Sequence, residues 1–324
     1  HPMLLINPNG IIVGGTASIN AQSLILSTLN MTNDAFKTAN GETNNEAVFT
    51  DGKAANGITV ENGAKLNISE LLQMFGGTVN VADNVTFSVP DGDSSNNLNI
   101  ALGAGSQIST TYGGSSAQDN HVLVNKAAKD NTVTVGASSL ENNGRTARVD
   151  LAGGAVSLNG TVIKVDDVND AKPMDSGVYL VAANTAGVDG SKMTITGDSN
   201  NTISLNNAVV IGGQDVMLLG GAVDMKNSYM DVDSATGTAL LAAGNRLSYG
   251  EGMDVTLGAS AGNTLNIAGK FDLTKQDMAS ATIHADRLFL LGGKVDLKDA
   301  VIAPDGTDAA GKPSSQLLVM AGNA

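Results

Sequence analysis

The chain has no cysteine and no tryptophan in 324 residues, and only 4 tyrosines, 6 phenylalanines and 6 prolines. Without cysteine there is no disulfide framework, no thiolate metal site and no cysteine nucleophile. Aromatics at 3% argue against a large globular core built on rings. A narrow interior of stacked β-coils, by contrast, is filled by Val, Ile, Leu and Ala. Few prolines suit sheets, whose ladders need every backbone donor. The 18 Lys and Arg stand against 32 Asp and Glu, a formal net charge of −14, and the basic residues form no run or stripe. Nucleic acid and anionic membrane surfaces are therefore not expected partners. No stretch reaches the roughly 18 apolar residues of a membrane helix, and no basic-then-apolar leader opens the sequence, so no membrane insertion is expected.

What abounds is glycine, 39 residues, together with Asn, Asp, Ser and Thr, the residues of frequent turns. A phrase of the form apolar-x-Gly-Gly-x-Val-x-apolar recurs at Met74–Val81, Leu151–Leu158, Leu218–Met225 and Leu290–Leu297. Its second glycines, Gly77, Gly154, Gly221 and Gly293, lie 77, 67 and 72 residues apart, a superrepeat read as about three coils of roughly 23 residues. A second phrase ends in small residues and Asn, at Val178–Asn184, Ala239–Asn245 and Leu317–Asn323. A third pairs Met193–Gly197 and Thr202–Leu205 with Met253–Gly258 and Thr264–Ile267. Apolar and polar residues alternate over four to six positions and no helical stripe exceeds one turn, so even residues 70–75 read as strand. The expected fold is all-β, a right-handed parallel β-helix of some fourteen coils, about 65 to 70 Å long at ~4.8 Å per coil. Loops are expected at 91–97, 113–120, 166–177 and 305–315. Asn67, Asn80, Asn184, Asn245 and Asn266 are candidates for a side-chain ladder at equivalent corners or, equally, for simple turn residues.

The sequence offers little catalytic chemistry. His1, His121 and His284 have no second His or Glu at ligand spacing, and no Gly-x-Ser-x-Gly elbow is present. Asp91 with Asp93, Asp166 with Asp167 and Asp170, and Asp231 with Asp233 could offer oxygen ligands, but without the spacing of a calcium loop. Arg145, Arg148, Arg246 and Arg287 stand apart in sequence from these clusters, apart from Arg287 next to Asp286. The expectation is no enzyme, no metal site, no cofactor and no catalytic residue. Sequons occur at Asn30, Asn67, Asn84, Asn159 and Asn200, about as many as such a composition yields by chance.

The most specific stretch is the first: Leu4-Leu5-Ile6-Asn7-Pro8-Asn9-Gly10-Ile11, then Gly14-Gly15, Ala17-Ser-Ile-Asn20 and Ser27-Thr-Leu-Asn-Met31, with Asp34-Ala-Phe36 beyond. Read physically, two apolar strands flank a turn in which Pro8 fixes φ, Asn7 and Asn9 can bond nearby backbone, and Gly10 accepts positive φ. The string resembles the secretion domain of two-partner-secretion exoproteins, the filamentous haemagglutinin-like family, over about a tenth of the chain. The family's upstream Asn-Pro-Asn motif and cap are missing before His1, so the sequence reads as a piece of a longer exoprotein.

The resemblance implies residues 1–90 as the later part of a secretion domain and 91–324 as a β-helical rod. It implies a secreted or surface-displayed adhesin, exported unfolded by a dedicated outer-membrane transporter with periplasmic recognition domains, a route that the lack of cysteine suits. Asn7, Pro8, Asn9, Gly10 and Ile11 are the expected secretion motif, and a receptor or glycan on another cell is the expected but unnamed second partner. Two alternatives stay open: an autotransporter passenger, which needs a membrane barrel on the same gene, and a calcium-dependent polysaccharide lyase, which needs acids and an Arg in one groove.

Overall fold

A computed structural model describes residues 3–32, 46–88, 98–111, 122–140, 146–165, 176–189, 192–233, 236–250, 254–269, 283–304 and 314–322, with residues 306 and 312. Among these there is no helix; strands follow one another along the whole chain. Among the described residues no helix is long and apolar enough to cross a membrane. The stretch 70–75 lies within the strand Lys65–Gly76, as expected.

The strands stack as parallel ladders around one interior. A front ladder of nine runs from Ile11–Val13 through Ile58–Val60, Val79–Val81, Thr132–Val135 and onward to Lys294–Asp296. The other two ladders belong to one 17-stranded sheet, because the strands Ser18–Ser27 and Lys65–Gly76 bend through both. The side ladder continues with Thr86–Ser88, Ser139–Leu140, Val162–Lys164, Val209–Gly212, Tyr229–Val232, Ile283–Ala285 and Ile302–Pro304. The third, here the covered ladder, includes Met3–Ile6, Leu98–Ala104, Thr146–Gly153, Gly177–Ala182, Asp215–Gly220, Thr238–Ala243, Arg287–Gly292 and Gln316–Ala321. The result is an all-β, nearly closed solenoid of parallel strands.

Register explains the composition. In parallel pairing, like positions stack directly, so one inward site becomes one column. Ile11, Ile58, Val79, Val133, Val156, Ile203, Val223, Leu265 and Val295 form such a column in the front ladder. Leu26, Met74, Leu102, Leu151, Leu180, Leu218, Leu241 and Leu290 form one in the covered ladder. Nearly all are fully buried. Branched aliphatics of similar volume tile a narrow core without rings, which accounts for the aromatic content.

The superrepeat differs from the expected three coils. Between consecutive Gly-Gly corners the chain makes two. One is short, passing straight from the covered to the front ladder through Gly-Gly; the other leaves the covered ladder for an antiparallel hairpin before returning. The hairpins are Gln107–Thr111 with Val122–Lys126, Thr185–Asp189 with Lys192–Thr196, and Arg246–Gly250 with Asp254–Gly258. With nine strands in the front ladder the stack spans about 40 Å, shorter than fourteen equal coils. The missing length is in the hairpins, whose alternating strands look like coil strands in sequence.

These hairpins form a second layer. The first pairs with Glu46–Phe49 in a three-stranded sheet, and the second and third join as a four-stranded sheet. They pack on the outer side of the covered ladder through two further apolar clusters. One contains Ile25, Leu29, Phe49, Phe75 and Ile108; the other contains Met217, Leu219, Leu240, Ile195 and Leu247. The covered ladder is therefore apolar on its inner face and over much of its outer face, as suits a sheet covered on both sides. The expected boundary after residue 90 falls outside the described residues, and the front ladder continues across it from Val79–Val81 to Thr132–Val135.

Candidate functional site

The Asn7–Gly10 turn is the corner that leads into the first front strand. Gly10 N donates to Asn7 O at 3.1 Å and Asn9 N to Asn7 Oδ1 at 3.2 Å, closing the turn. Gly10 has φ +124, a backbone state that a residue with Cβ adopts only with strain. Two bonds tie the turn to the next coil: Ile11 N to Gly57 O at 3.1 Å, and Asn56 Nδ2 to Pro8 O at 2.7 Å. The other residues of the motif string are also placed. Asn20 Oδ1 accepts from Asn67 Nδ2 at 2.6 Å, Thr28 Oγ1 donates to Asn56 O at 2.8 Å, and Leu29 is fully buried beside Phe49 and Phe75. Asp34–Phe36 lie outside the described residues.

The same corner recurs up the stack in a form the sequence reading did not isolate. Four-residue turns close by Asn131 N to Ala128 O, Asn201 N to Asp198 O and Asn263 N to Ser260 O. In each, the Asn Oδ1 accepts from the backbone N of the first turn residue at 2.7–2.8 Å. Each Nδ2 donates downward to a corner glycine carbonyl: Asn131 to Gly77, Asn201 to Gly154 and Asn263 to Gly221. The second glycine of the following corner tucks against the turn: a Cβ on Gly154, Gly221 or Gly293 would overlap the carbonyl of Ala128, Asp198 or Ser260. The corner ladder is thus carried by Asn131, Asn201 and Asn263; of the five expected, Asn67 does stack between Asn20 and Ser88 of the neighbouring coils. Asn184 and Asn245 accept from Asn201 and Asn263, and Asn245 Nδ2 also donates to Ser260 Oγ at 3.4 Å; Asn67 sits on the side ladder, and Asn80 and Asn266 are on the front ladder. The missed signal was the recurrent Asn-Thr-apolar at Asn131, Asn201 and Asn263.

A polar seam lies where the hairpin layer meets the covered ladder. One outward column there reads Asn99, Arg148, Gly177, Asp215, Thr238, Arg287 and Gln316. Arg148 and Asp150, two residues apart and so on one face of their strand, form a buried two-bonded pair at 2.7 and 3.0 Å. The Arg148 guanidinium also stacks 4.3 Å from the Tyr179 ring centre. Tyr179 folds back over Gly177, where any side chain would collide with its ring. Burial pushes the Tyr179 phenol far up, opposed by Arg148. The Asp215 carboxyl is pushed up to about 6 by burial, against the pull of Arg287 and Arg148.

Of the expected acids, Asp91, Asp93, Asp166, Asp167 and Asp170 lie outside the described residues, as do His1, His121, Arg145 and loops 91–97, 113–120 and most of 166–177 and 305–315. Asp231 Oδ1 meets His284 Nδ1 at 2.8 Å, and Tyr229 donates to its Oδ2 at 3.1 Å. Asp233 is exposed, just past the end of the strand Tyr229–Val232. Among the described residues no three His, Asp or Glu are grouped to hold a metal ion. Sequence distance hid the approach of Asp215 to Arg148 and Arg287, which only coil register brings together. Comparison with protein-family models, curated proteins and solved structures finds no match.

Proposed function

We propose that this chain is a segment of a large secreted or surface-displayed adhesin of the filamentous haemagglutinin-like kind. In this reading the solenoid is a right-handed β-helix, exported by a dedicated outer-membrane transporter with periplasmic recognition domains. The chain serves as secretion signal and as rigid scaffold for attachment to another cell. The observation that carries the reading is the geometry of Asn7–Gly10: the motif residues form a corner of the same series as those at Asn131, Asn201 and Asn263, bonded upward through Asn56 and Gly57. A chain emerging from a pore in order can form that corner before the coils that follow it, and each later coil then stacks on a finished one. A coil buries four or more aliphatic side chains, each contributing about 1.5–3 kcal/mol against the entropy of ordering. Folding outside therefore biases passage outward without a nucleotide.

The test is export of the full-length protein from cells carrying its transporter, with Asn7 and Asn9 both replaced by Ala. Export falls in this account. Unchanged amounts in the medium overturn it.

A further inference from the structure

The second and third hairpins leave the covered ladder after Ala182 and Ala243 and are anchored at that end. Asn184 N donates to Thr196 O, Gly197 N to Asn245 O, Asn245 N to Gly258 O, and Gly244 N to Gly220 O on the ladder, each at 2.8 Å. From this corner their four-stranded sheet runs back over the outer face of the ladder. Ile195 and Leu247 are buried with Leu219 and Ala242, and Met193 and Tyr249, two places farther out, pack against the same cluster. The outer ends hold each other through an exposed pair, Lys192 Nζ to Asp254 Oδ2 at 3.5 Å. Gly177, Asp215, Thr238 and Arg287 all begin their strands, so they lie beneath the outer ends, farthest from the anchored corner. The charged and titratable groups that face Asp215 are Arg287 and Arg148 on its own ladder and Tyr249 on the third hairpin. Tyr179 stands on the next strand, and Arg148 is already neutralised by Asp150. No ion pair joins Asp215 to an Arg among the described residues. Arg287 Nη2 donates to Thr236 O at 3.1 Å, while Arg287 Nε and Thr238 Oγ1 are buried without a hydrogen-bond partner. An ionised carboxylate in such a row loses water when the sheet closes and gains no bonded partner in return.

We propose that the four-stranded hairpin sheet is a pH-sensitive flap, latched over Asp215 while that carboxyl is protonated and loosened from its outer ends when the carboxyl ionises. With the flap shut, burial pushes the Asp215 carboxyl up to about 6 against the pull of Arg287 and Arg148. An open flap returns Asp215 to water and to the ordinary value of 3.8. The open form therefore binds fewer protons, and its population rises with pH, about tenfold between pH 5 and pH 7.5. Amide hydrogen exchange on the 324-residue chain at these two pH values, corrected for the intrinsic exchange rate, reads the opening directly. Amides of Lys192–Thr196 and Arg246–Gly250 are less protected than those of the front strands Thr202–Asn206 and Ala222–Lys226 at both pH values, because the flap opens while the solenoid stays folded. Their protection falls about tenfold from pH 5 to pH 7.5, and in Asp215→Asn, which keeps the shape of the protonated acid, that fall is absent. Hairpin amides as protected as the front strands, or protection in the wild type that does not change with pH, overturns the proposal without recourse to the variant. An equal fall in Asp215→Asn overturns it as well.

Discussion

The side-chain amide of Asn201 donates to the carbonyl of Gly154 at 3.0 Å, one corner below, while its own backbone carbonyl accepts from Gly221 N at 2.8 Å, one corner above. One residue thus links three corners, and Asn131 and Asn263 repeat the downward bond. These buried amides add to what the aliphatic columns contribute and fix the register of the corners.

Replacing Asn201 with Ala strips the Gly154 carbonyl and the Asp198 amide of their partners. Buried unpaired groups cost about 1–3 kcal/mol each, so urea unfolding of Asn201→Ala should show a loss of about 2–4 kcal/mol. Ser199→Ala, on the exposed side of the same turn, should change stability by no more than about 0.5 kcal/mol.

The two glycines of a corner are unequal. A methyl on Gly221 would overlap the Asp198 carbonyl, whereas on Gly220 its nearest neighbour is the Ala222 carbonyl at 3.1 Å. Gly221→Ala should cost about 3 kcal/mol or more, since backbone must move, and Gly220→Ala nearer 1. The denaturation midpoints order the two.

Arg148 and Asp150 are buried together, so removing one leaves an unpaired charge. Arg148→Ala should destabilise by about 3–5 kcal/mol and the double variant Arg148→Met with Asp150→Leu by much less. A double-mutant cycle on unfolding free energy reads the coupling.

Asp215 sets a pH dependence of definite sign. Its carboxyl titrates near 6 in the folded chain instead of near 3.8, so between those values the native state holds more protons than the unfolded one. Its contribution to stability is therefore greatest below about pH 4 and is lost as pH rises through 6. Denaturation at pH 4 and pH 7 should show the wild type losing more stability than Asp215→Asn over that interval; equal losses contradict it.

Much of the fold was legible because parallel stacking makes the sequence repeat what the structure repeats. The Gly-Gly-x-Val phrase marks the tight corners, since only glycine fits beneath the turn carbonyls, and alternation marks the strands. Coil number was not legible: the return strand Lys192–Thr196 alternates like Thr202–Asn206, and nothing local says that the first pairs antiparallel outside the stack. The Asn ladder was misassigned because outward Asn on strands, such as Asn80 and Asn266, look the same in sequence as corner Asn. The Arg148, Asp215 and Arg287 row was invisible, because it joins residues from coils far apart in the chain.

The central claim is that the Asn7–Gly10 corner acts in export rather than only in stability. The most direct measurement compares the exported fraction of full-length protein carrying Asn7→Ala and Asn9→Ala with that carrying Asn201→Ala, in cells with the transporter. The account predicts that the pair at the Asn7–Gly10 corner lowers export sharply while Asn201→Ala, although it unfolds more easily, is exported nearly as well as wild type. Export that is intact in the first and lost in the second would contradict it.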